Sequence, residues 1–211
     1  MTQSGLRSAI VALVITAVVG SVYAQVPGGQ SGSSTAATPQ RPAPAAQSAA
    51  ADSKSFINDL AIAGMAEVQL GKLATERAAN ADVKAFGQMM VTDHSKAGDE
   101  LKQVASQLNV QPPTQLDPKH RDLADRLSKL QGAAFDRAYM DAMVQGHQEV
   151  LAKLRARSTN PHAAGTAAGG QGELAPARQG EQALTQWATK TSPTVQQHLE
   201  RAQELQKKVA R

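Results

Sequence analysis

The chain contains no cysteine among its 211 residues. This absence excludes a disulfide framework, a thiol nucleophile, a thiolate metal site and a lipid anchor on cysteine. Aromatic residues are scarce, since three Phe, two Tyr and one Trp leave little material for stacking nucleic-acid bases. The 22 Lys and Arg nearly balance the 18 Asp and Glu. A net charge of +4 is small for a dedicated nucleic-acid-binding protein, so we expect no nucleic-acid partner.

The one long apolar run lies at the N-terminus. Arg7 precedes the apolar segment 9–19, and Val22-Tyr23-Ala24 offers residues suited to a cleavage site. This pattern predicts a secretory signal peptide over residues 1–24. The run is shorter than the ~20 apolar residues that span a membrane, so no integral membrane domain is expected after cleavage. We therefore expect a periplasmic protein of a bacterial cell envelope, with weak attraction to anionic envelope surfaces.

Two segments lack the composition needed for a packed core. Residues 25–51 are mostly Gly, Ser, Pro, Ala and Gln with almost no charge, which predicts a disordered linker. Residues 158–180 are rich in Gly and Ala, which predicts a flexible surface loop. An insertion is favoured over a functional lid there, because little in the composition would order it. The folded domain is expected within residues 52–211.

Outside that loop, the chain after residue 52 has the pattern of amphipathic helices. Apolar residues recur at spacings of three and four, and no alternating β-branched run occurs. Gly132 predicts a break in the third helical segment, and Pro193 predicts a kink or restart in the last. A short turn at residues 80–82 would make the first two segments antiparallel neighbours. The fold class is therefore an all-α four-helix bundle, with helical segments over 53–79, 82–108, 119–157 and 179–210.

Ionisable residues interrupt the apolar stripe of each predicted helix. They are Glu67, His94, Asp136, His147 and His198. Because a buried charge is costly, such residues should be paired, hydrogen-bonded or metal-bound. Glu67 and His94 each lie about 13 residues from the turn, so they should sit at one height, ~20 Å from it. Three inward histidines and a carboxylate suit Zn, Cu or Fe, with Glu67, His94, His147 and His198 as the predicted metal ligands and Asp136 as a further candidate.

Three interpretations of these residues stay open. The simplest is a polar network that fixes helix register. The second is a site for one transition metal, and the third is a pH sensor built from the histidines. No nucleophilic triad, phosphate-binding loop or HExxH motif is present, so we expect a non-enzymatic protein rather than an enzyme. The alternatives are a structural or interaction module of the cell envelope and, third, a redox or hydrolytic metalloenzyme. The sequence does not decide whether the protein forms homo-oligomers.

Several short motifs, in a fixed order, resemble one bacterial family. From Phe56 to Leu205 the chain is similar to the family catalogued as domain of unknown function 4142, often labelled "predicted outer membrane protein". This resemblance implies a ferritin-like four-helix fold and an exported location, and it implies no activity. The stretches that carry it are Phe56-Ile57, Gly64-Met65-Ala66-Glu67, Leu70-Gly71-Lys72-Leu73-Ala74, Val83-Lys84-Ala85-Phe86, Met90-Val91-Thr92-Asp93-His94-Ser95-Lys96, Gly132-Ala133-Ala134-Phe135-Asp136-Arg137-Ala138-Tyr139-Met140, His147-Gln148, Pro193 and His198-Leu199.

The sequence departs from the di-iron members of the ferritin-like fold. Those proteins bind iron through Glu-x-x-His motifs on two of their helices. The positions three residues before His94, His147 and His198 are valines in this chain. The di-iron motif is therefore absent, which argues against ferroxidase or oxygenase chemistry. A mononuclear metal site is compatible with the same residues.

Overall fold

A computed structural model describes residues 44–159 and 175–211 of the chain. These residues form five helices and no strand, which confirms the predicted all-α class: α1 (Pro44–Arg77), α2 (Ala81–Gln107), α3 (Pro118–Ser128), α4 (Gly132–Thr159) and α5 (Ala175–Val209). The predicted signal peptide, most of the predicted linker and the centre of the predicted Gly/Ala-rich loop lie outside the described residues.

The four long helices α1, α2, α4 and α5 pack as a bundle. A three-residue turn makes α1 and α2 antiparallel. Lys153 of α4 pairs with Asp59 in the middle of α1, whereas Asp136, earlier in α4, contacts Ala79 beyond the end of α1, so α4 runs antiparallel to α1. Because α2 and α4 therefore run in the same direction, the connection that carries α3 must return along the bundle. A single long crossover of this kind is found in ferritin-like bundles.

The helix boundaries near the N-terminus differ in part from the prediction. Helix α1 begins at Pro44 rather than near Ser53, so residues 44–51 of the predicted linker are helical. Proline is favoured in the first turn of a helix, and the alanine-rich stretch that follows has high helix propensity. The predicted turn and cap before α2 are confirmed, because the Asn80 side chain accepts a hydrogen bond from the Asp82 backbone N–H at 2.8 Å.

The predicted break in the third segment is confirmed. Helix α3 ends at Ser128, and α4 begins at Gly132, whose φ of 61° is a left-handed conformation that glycine adopts without strain. Helix α5 continues through Pro193, so of the two predicted alternatives the restart is excluded and the kink is not. The helix tolerates the loss of the one backbone hydrogen bond that proline cannot donate. Both ends of the predicted loop over 158–180 are helical, since α4 extends to Thr159 and α5 begins at Ala175.

The buried side chains form two apolar clusters, one toward each end of the bundle. The first surrounds Phe86, Phe135 and Tyr139, and the second surrounds Leu101 and Trp187. On α1, α2 and α4 a polar residue lies between the segments that supply the two clusters, namely Glu67, His94 and His147, and on α5 His198 lies near the end of the segment that supplies the second cluster. We call these four residues the polar layer. The bundle therefore places its polar layer at mid-height, with apolar packing on either side.

Candidate metal centre

The three histidines of the polar layer meet inside the bundle. The ring centroids lie 5.6 Å apart for His94 and His147, and 5.5 Å apart both for His94 and His198 and for His147 and His198. One nitrogen from each ring lies within 4.8 Å of one nitrogen from each of the others. We call these three residues the histidine cluster. The structure therefore brings together the three histidines that the helical stripes singled out.

Two histidines of the cluster are oriented by a hydrogen bond on their outer side. His147 Nδ1 donates to the Met143 carbonyl oxygen at 2.8 Å, and His198 Nε2 donates to Asp93 Oδ2 at 2.9 Å. In a neutral imidazole, one donating nitrogen leaves the other as an acceptor with a free lone pair. Metal-binding histidines are commonly oriented in this way, by a carbonyl or a carboxylate behind the ring.

The inner nitrogen of each ring lacks a hydrogen-bond partner in the described part of the chain. His94 Nε2, His147 Nε2 and His198 Nδ1 are buried, and none of them has a hydrogen-bond partner among the described residues. Leaving a buried acceptor unpaired costs about 1–3 kcal/mol. Three such atoms close together are therefore unusual for a purely structural network, whose members would be expected to bond to one another.

Burial sets the charge of the histidine cluster. It lowers the pKa of His94 to about 3, with further lowering from the neighbouring rings of His147 and His198. Burial also lowers the pKa of His147 to about 4 and the pKa of His198, although the hydrogen bonds to Met143 and Asp93 oppose the effect. All three rings are therefore neutral at pH 7, which is the state that binds a metal ion.

Glu67 lies beside the histidine cluster rather than within the group of inner nitrogens. Its Oε1 is 3.6 Å from His147 Nδ1, the outer nitrogen of that ring, and its Oε2 is buried without a partner in the described part of the chain. Burial raises the pKa of Glu67 to about 8, so the carboxyl group is mostly protonated at pH 7 in the metal-free protein. Glu67 and His94 line the same cleft, in keeping with their predicted common height.

Asp136 is not part of this cluster. Its Oδ1 accepts a hydrogen bond from Ala79 N at 3.1 Å, and its Oδ2 accepts one from Asn80 N at 2.9 Å. The carboxylate therefore anchors the turn between α1 and α2, far along α4 from His147. The structure does not bring Asp136 to the histidine cluster, because the helical stripe reports which face a residue occupies and not what it bonds to.

Asp93 is a further side chain of the candidate site, and the helical pattern did not specify its hydrogen-bond partner. It directly precedes His94 on α2, and it falls off the inner stripe. Its side chain is 38% exposed, yet it reaches His198 on α5. A carboxylate next to an inward-facing histidine in the sequence indicates that it bonds to a histidine of the site. Only the packing of α2 against α5 shows that the histidine it orients is His198.

The fold and this site define an all-α bundle with a buried, neutral three-histidine cluster at mid-height. None of the described helices combines the length and the apolar character required to cross a membrane. The chain belongs to the family described as "Domain of unknown function (DUF4142)", whose model matches residues 38–205. This confirms the family suggested by the motifs. The chain matches no curated protein and no solved structure at a significant level.

Proposed function

We propose that the protein binds one transition-metal ion, Zn, Cu or Fe, through His94, His147 and His198. Two observations carry the proposal: the three neutral rings each offer one nitrogen within 4.8 Å of the others, and each ring has one buried nitrogen without a partner among the described residues. Tetrahedral Zn–N bonds of about 2.0–2.1 Å place ligand nitrogens roughly 3.3 Å apart. Nitrogens within 4.8 Å of one another can reach that spacing by small rotations of their side chains.

A metal ion would satisfy all three inner nitrogens at once. A buried nitrogen left without a hydrogen-bond partner costs about 1–3 kcal/mol, and structural zinc sites in small domains contribute about 10–16 kcal/mol at neutral pH. No protein group among the described residues pairs with these nitrogens, so one ion bound to all three supplies the partner that each of them lacks.

The ligand set points to an incompletely filled coordination sphere. Asp136 is engaged at the α1–α2 turn, and Glu67 lies against the outer nitrogen of His147. Three histidines without a fourth protein ligand match the arrangement of metal sites that keep one position for water or another small ligand. The Glu67 carboxyl group would then lie beside His147, one of the three ligands, rather than bind the metal itself.

Metal binding is tested by stoichiometry on the untagged protein. Chelator-treated protein should take up close to one Zn²⁺ per chain and gain several degrees in melting temperature, because the ion binds only the folded state. His147→Ala and His198→Ala should abolish this uptake while circular dichroism still shows a helical fold. His120→Ala is the matched control, since this histidine pairs with Asp117 outside the cluster. Uptake that is unchanged in the cluster variants, or absent in the wild type, would contradict the proposal.

The proposal includes export to the periplasm. The support is the pattern of residues 1–24, in which a basic residue, an apolar run and small residues follow in the order of a cleavable signal. Mass spectrometry of the protein from a periplasmic fraction should give a chain that begins at Gln25. A cytoplasmic chain that retains Met1–Ala24 would contradict export and would leave the metal site unaffected.

A further inference from the structure

A narrow cleft leads to the histidine cluster. It has a volume of about 50 Å³ and lies between α1, α2 and α5. Glu67, His94 and His198 line its inner part, and Asp93 and Thr194 lie nearer the surface. A water molecule needs roughly 10–15 Å³ of such space, so the cleft has room for only a few heavy atoms. Apart from the polar layer and Asp93, its walls are mostly apolar or small, and none of the residues that line it is Lys or Arg.

Two glycines in the cleft wall are not explained by packing. Gly64 lies in the interior of α1 and Gly98 in the interior of α2, where glycine destabilises a helix relative to alanine. A Cβ atom added at either position would meet no atom within 4 Å. Other glycines of the bundle have a local reason, as at Gly71, where a Cβ would lie 2.6 Å from the Gly87 carbonyl oxygen. Packing therefore does not require glycine at position 64 or 98, and open space lies in front of both residues.

One of the residues that line the cleft also has a polar atom without a partner. Trp187 is largely buried, and its indole Nε1 has no hydrogen-bond partner among the described residues. Buried indole N–H groups usually find an acceptor. The residues around the cleft thus include an unpaired donor, part of the polar layer and two glycines with open space in front of them.

We propose that this cleft is the binding site for a small ligand of two or three heavy atoms, which binds end-on to the metal held by the histidine cluster. This inference rests on the metal site proposed above and adds the size and the charge of the ligand that reaches the metal. The small volume of the cleft favours a ligand of a few heavy atoms, and the absence of Lys and Arg among its lining residues disfavours a highly charged ligand such as a phosphate ester. The metal itself is the group that attracts the ligand.

The test uses cobalt in place of the native metal and azide as the probe. The d–d absorption of a Co²⁺ site reports directly on its coordination, and azide has three heavy atoms. Azide should change the spectrum of the Co²⁺ protein saturably. Imidazole, whose five heavy atoms exceed the proposed ligand size, should not change the spectrum at concentrations up to those that saturate with azide.

Variants that fill the cleft give the specific readout. Gly98→Leu on α2 and Gly64→Leu on α1 should each retain Co²⁺ binding but weaken azide binding by about tenfold or more, because the added side chain occupies the ligand's space. Ser95→Leu is the matched control, since it adds the same side chain to an exposed position of α2 outside the cleft. Gly98→Ala should raise the melting temperature, which would show that the glycine is not required for folding.

The outcomes separate this inference from the metal site. Absence of Co²⁺ binding in the wild type would overturn both. Stoichiometric Co²⁺ with a spectrum that ignores azide would leave the metal site in place and overturn the ligand cleft. Azide binding that is the same in Gly98→Leu, Gly64→Leu and wild type would show that the ligand reaches the metal by another route and would also overturn it.

Discussion

The polar layer predicts an unusual pH dependence for the stability of the metal-free protein. Burial lowers the pKa of His94 to about 3 and that of His147 to about 4, from an ordinary value of 6.5. Burial raises the pKa of Glu67 to about 8, from an ordinary value of 4.5. Stability rises with pH wherever the unfolded chain binds more protons than the native protein, and it falls where the native protein binds more.

These pKa shifts change the free energy of unfolding in opposite directions below and above pH 6.5. Between about pH 4.5 and 6.5 the unfolded chain protonates all three histidines of the cluster, whereas the native protein leaves His94 and His147 neutral and holds one proton on Glu67. Because the pKa of His198 is also lowered, the unfolded chain binds about one to two more protons, which should raise the free energy of unfolding by about 1.4–2.7 kcal/mol per pH unit. Between about pH 6.5 and 8 only Glu67 differs, and the native protein keeps a proton that the unfolded chain has lost. Stability should therefore fall again, with a maximum near about pH 6.5.

Urea unfolding followed by circular dichroism, in the presence of a chelator from about pH 4.5 to 8.5, measures this profile. Glu67→Gln should steepen the rise below the maximum and lose the fall above it, because the neutral amide does not titrate and the native protein no longer holds the proton that opposes the histidines. His120→Ala, which lies outside the polar layer, should keep the wild-type maximum. A wild-type profile that rises steadily to about pH 8, or a Glu67→Gln profile that falls as steeply as the wild type, would refute the reasoning.

Three further predictions follow from contacts around the polar layer and beyond it. Asp93→Asn should weaken metal affinity by about 10–100-fold while leaving the melting temperature of the metal-free protein nearly unchanged, as calorimetric titration and thermal melts would measure. Asp136→Ala should cost roughly 1–3 kcal/mol of unfolding free energy, because two backbone N–H groups lose their acceptor, and metal stoichiometry should stay at the wild-type value. Arg157→Ala should cost about 3–5 kcal/mol in chemical denaturation by leaving Glu181 buried without its ion-pair partner, and a change below about 1 kcal/mol would contradict this.

The helical pattern was sufficient to predict most of the fold. A 3.6-residue period reports which face of a helix is buried, so the bundle and its inward polar residues follow from spacing alone. The break at Gly132 followed because glycine interrupts an otherwise continuous stripe, and the structure shows it in a left-handed conformation. The start of α1 at Pro44 was missed because low hydrophobicity was interpreted as disorder, whereas an alanine-rich stretch forms a helix readily.

The candidate site was only partly predictable, because spacing does not encode side-chain partners. The histidines at positions 94, 147 and 198 met as expected because they share one level of the bundle. Asp136 satisfied the same stripe but bonds to the α1–α2 turn. The buried group formed by Ser53, Arg157 and Glu181 was not predicted, since it depends on how the ends of three helices meet.

X-ray absorption spectroscopy of the zinc-loaded protein tests the metal site most directly, because it counts imidazole ligands around the ion. We expect one Zn²⁺ per chain with three histidine nitrogens at about 2.0–2.1 Å and one or more lighter ligands completing the sphere. The count should fall to two in any His94→Ala or His147→Ala protein that still retains zinc. A wild-type protein that holds no zinc, or one whose zinc environment contains no imidazole and is unchanged by these substitutions, would contradict the assignment of the histidine cluster as a metal centre.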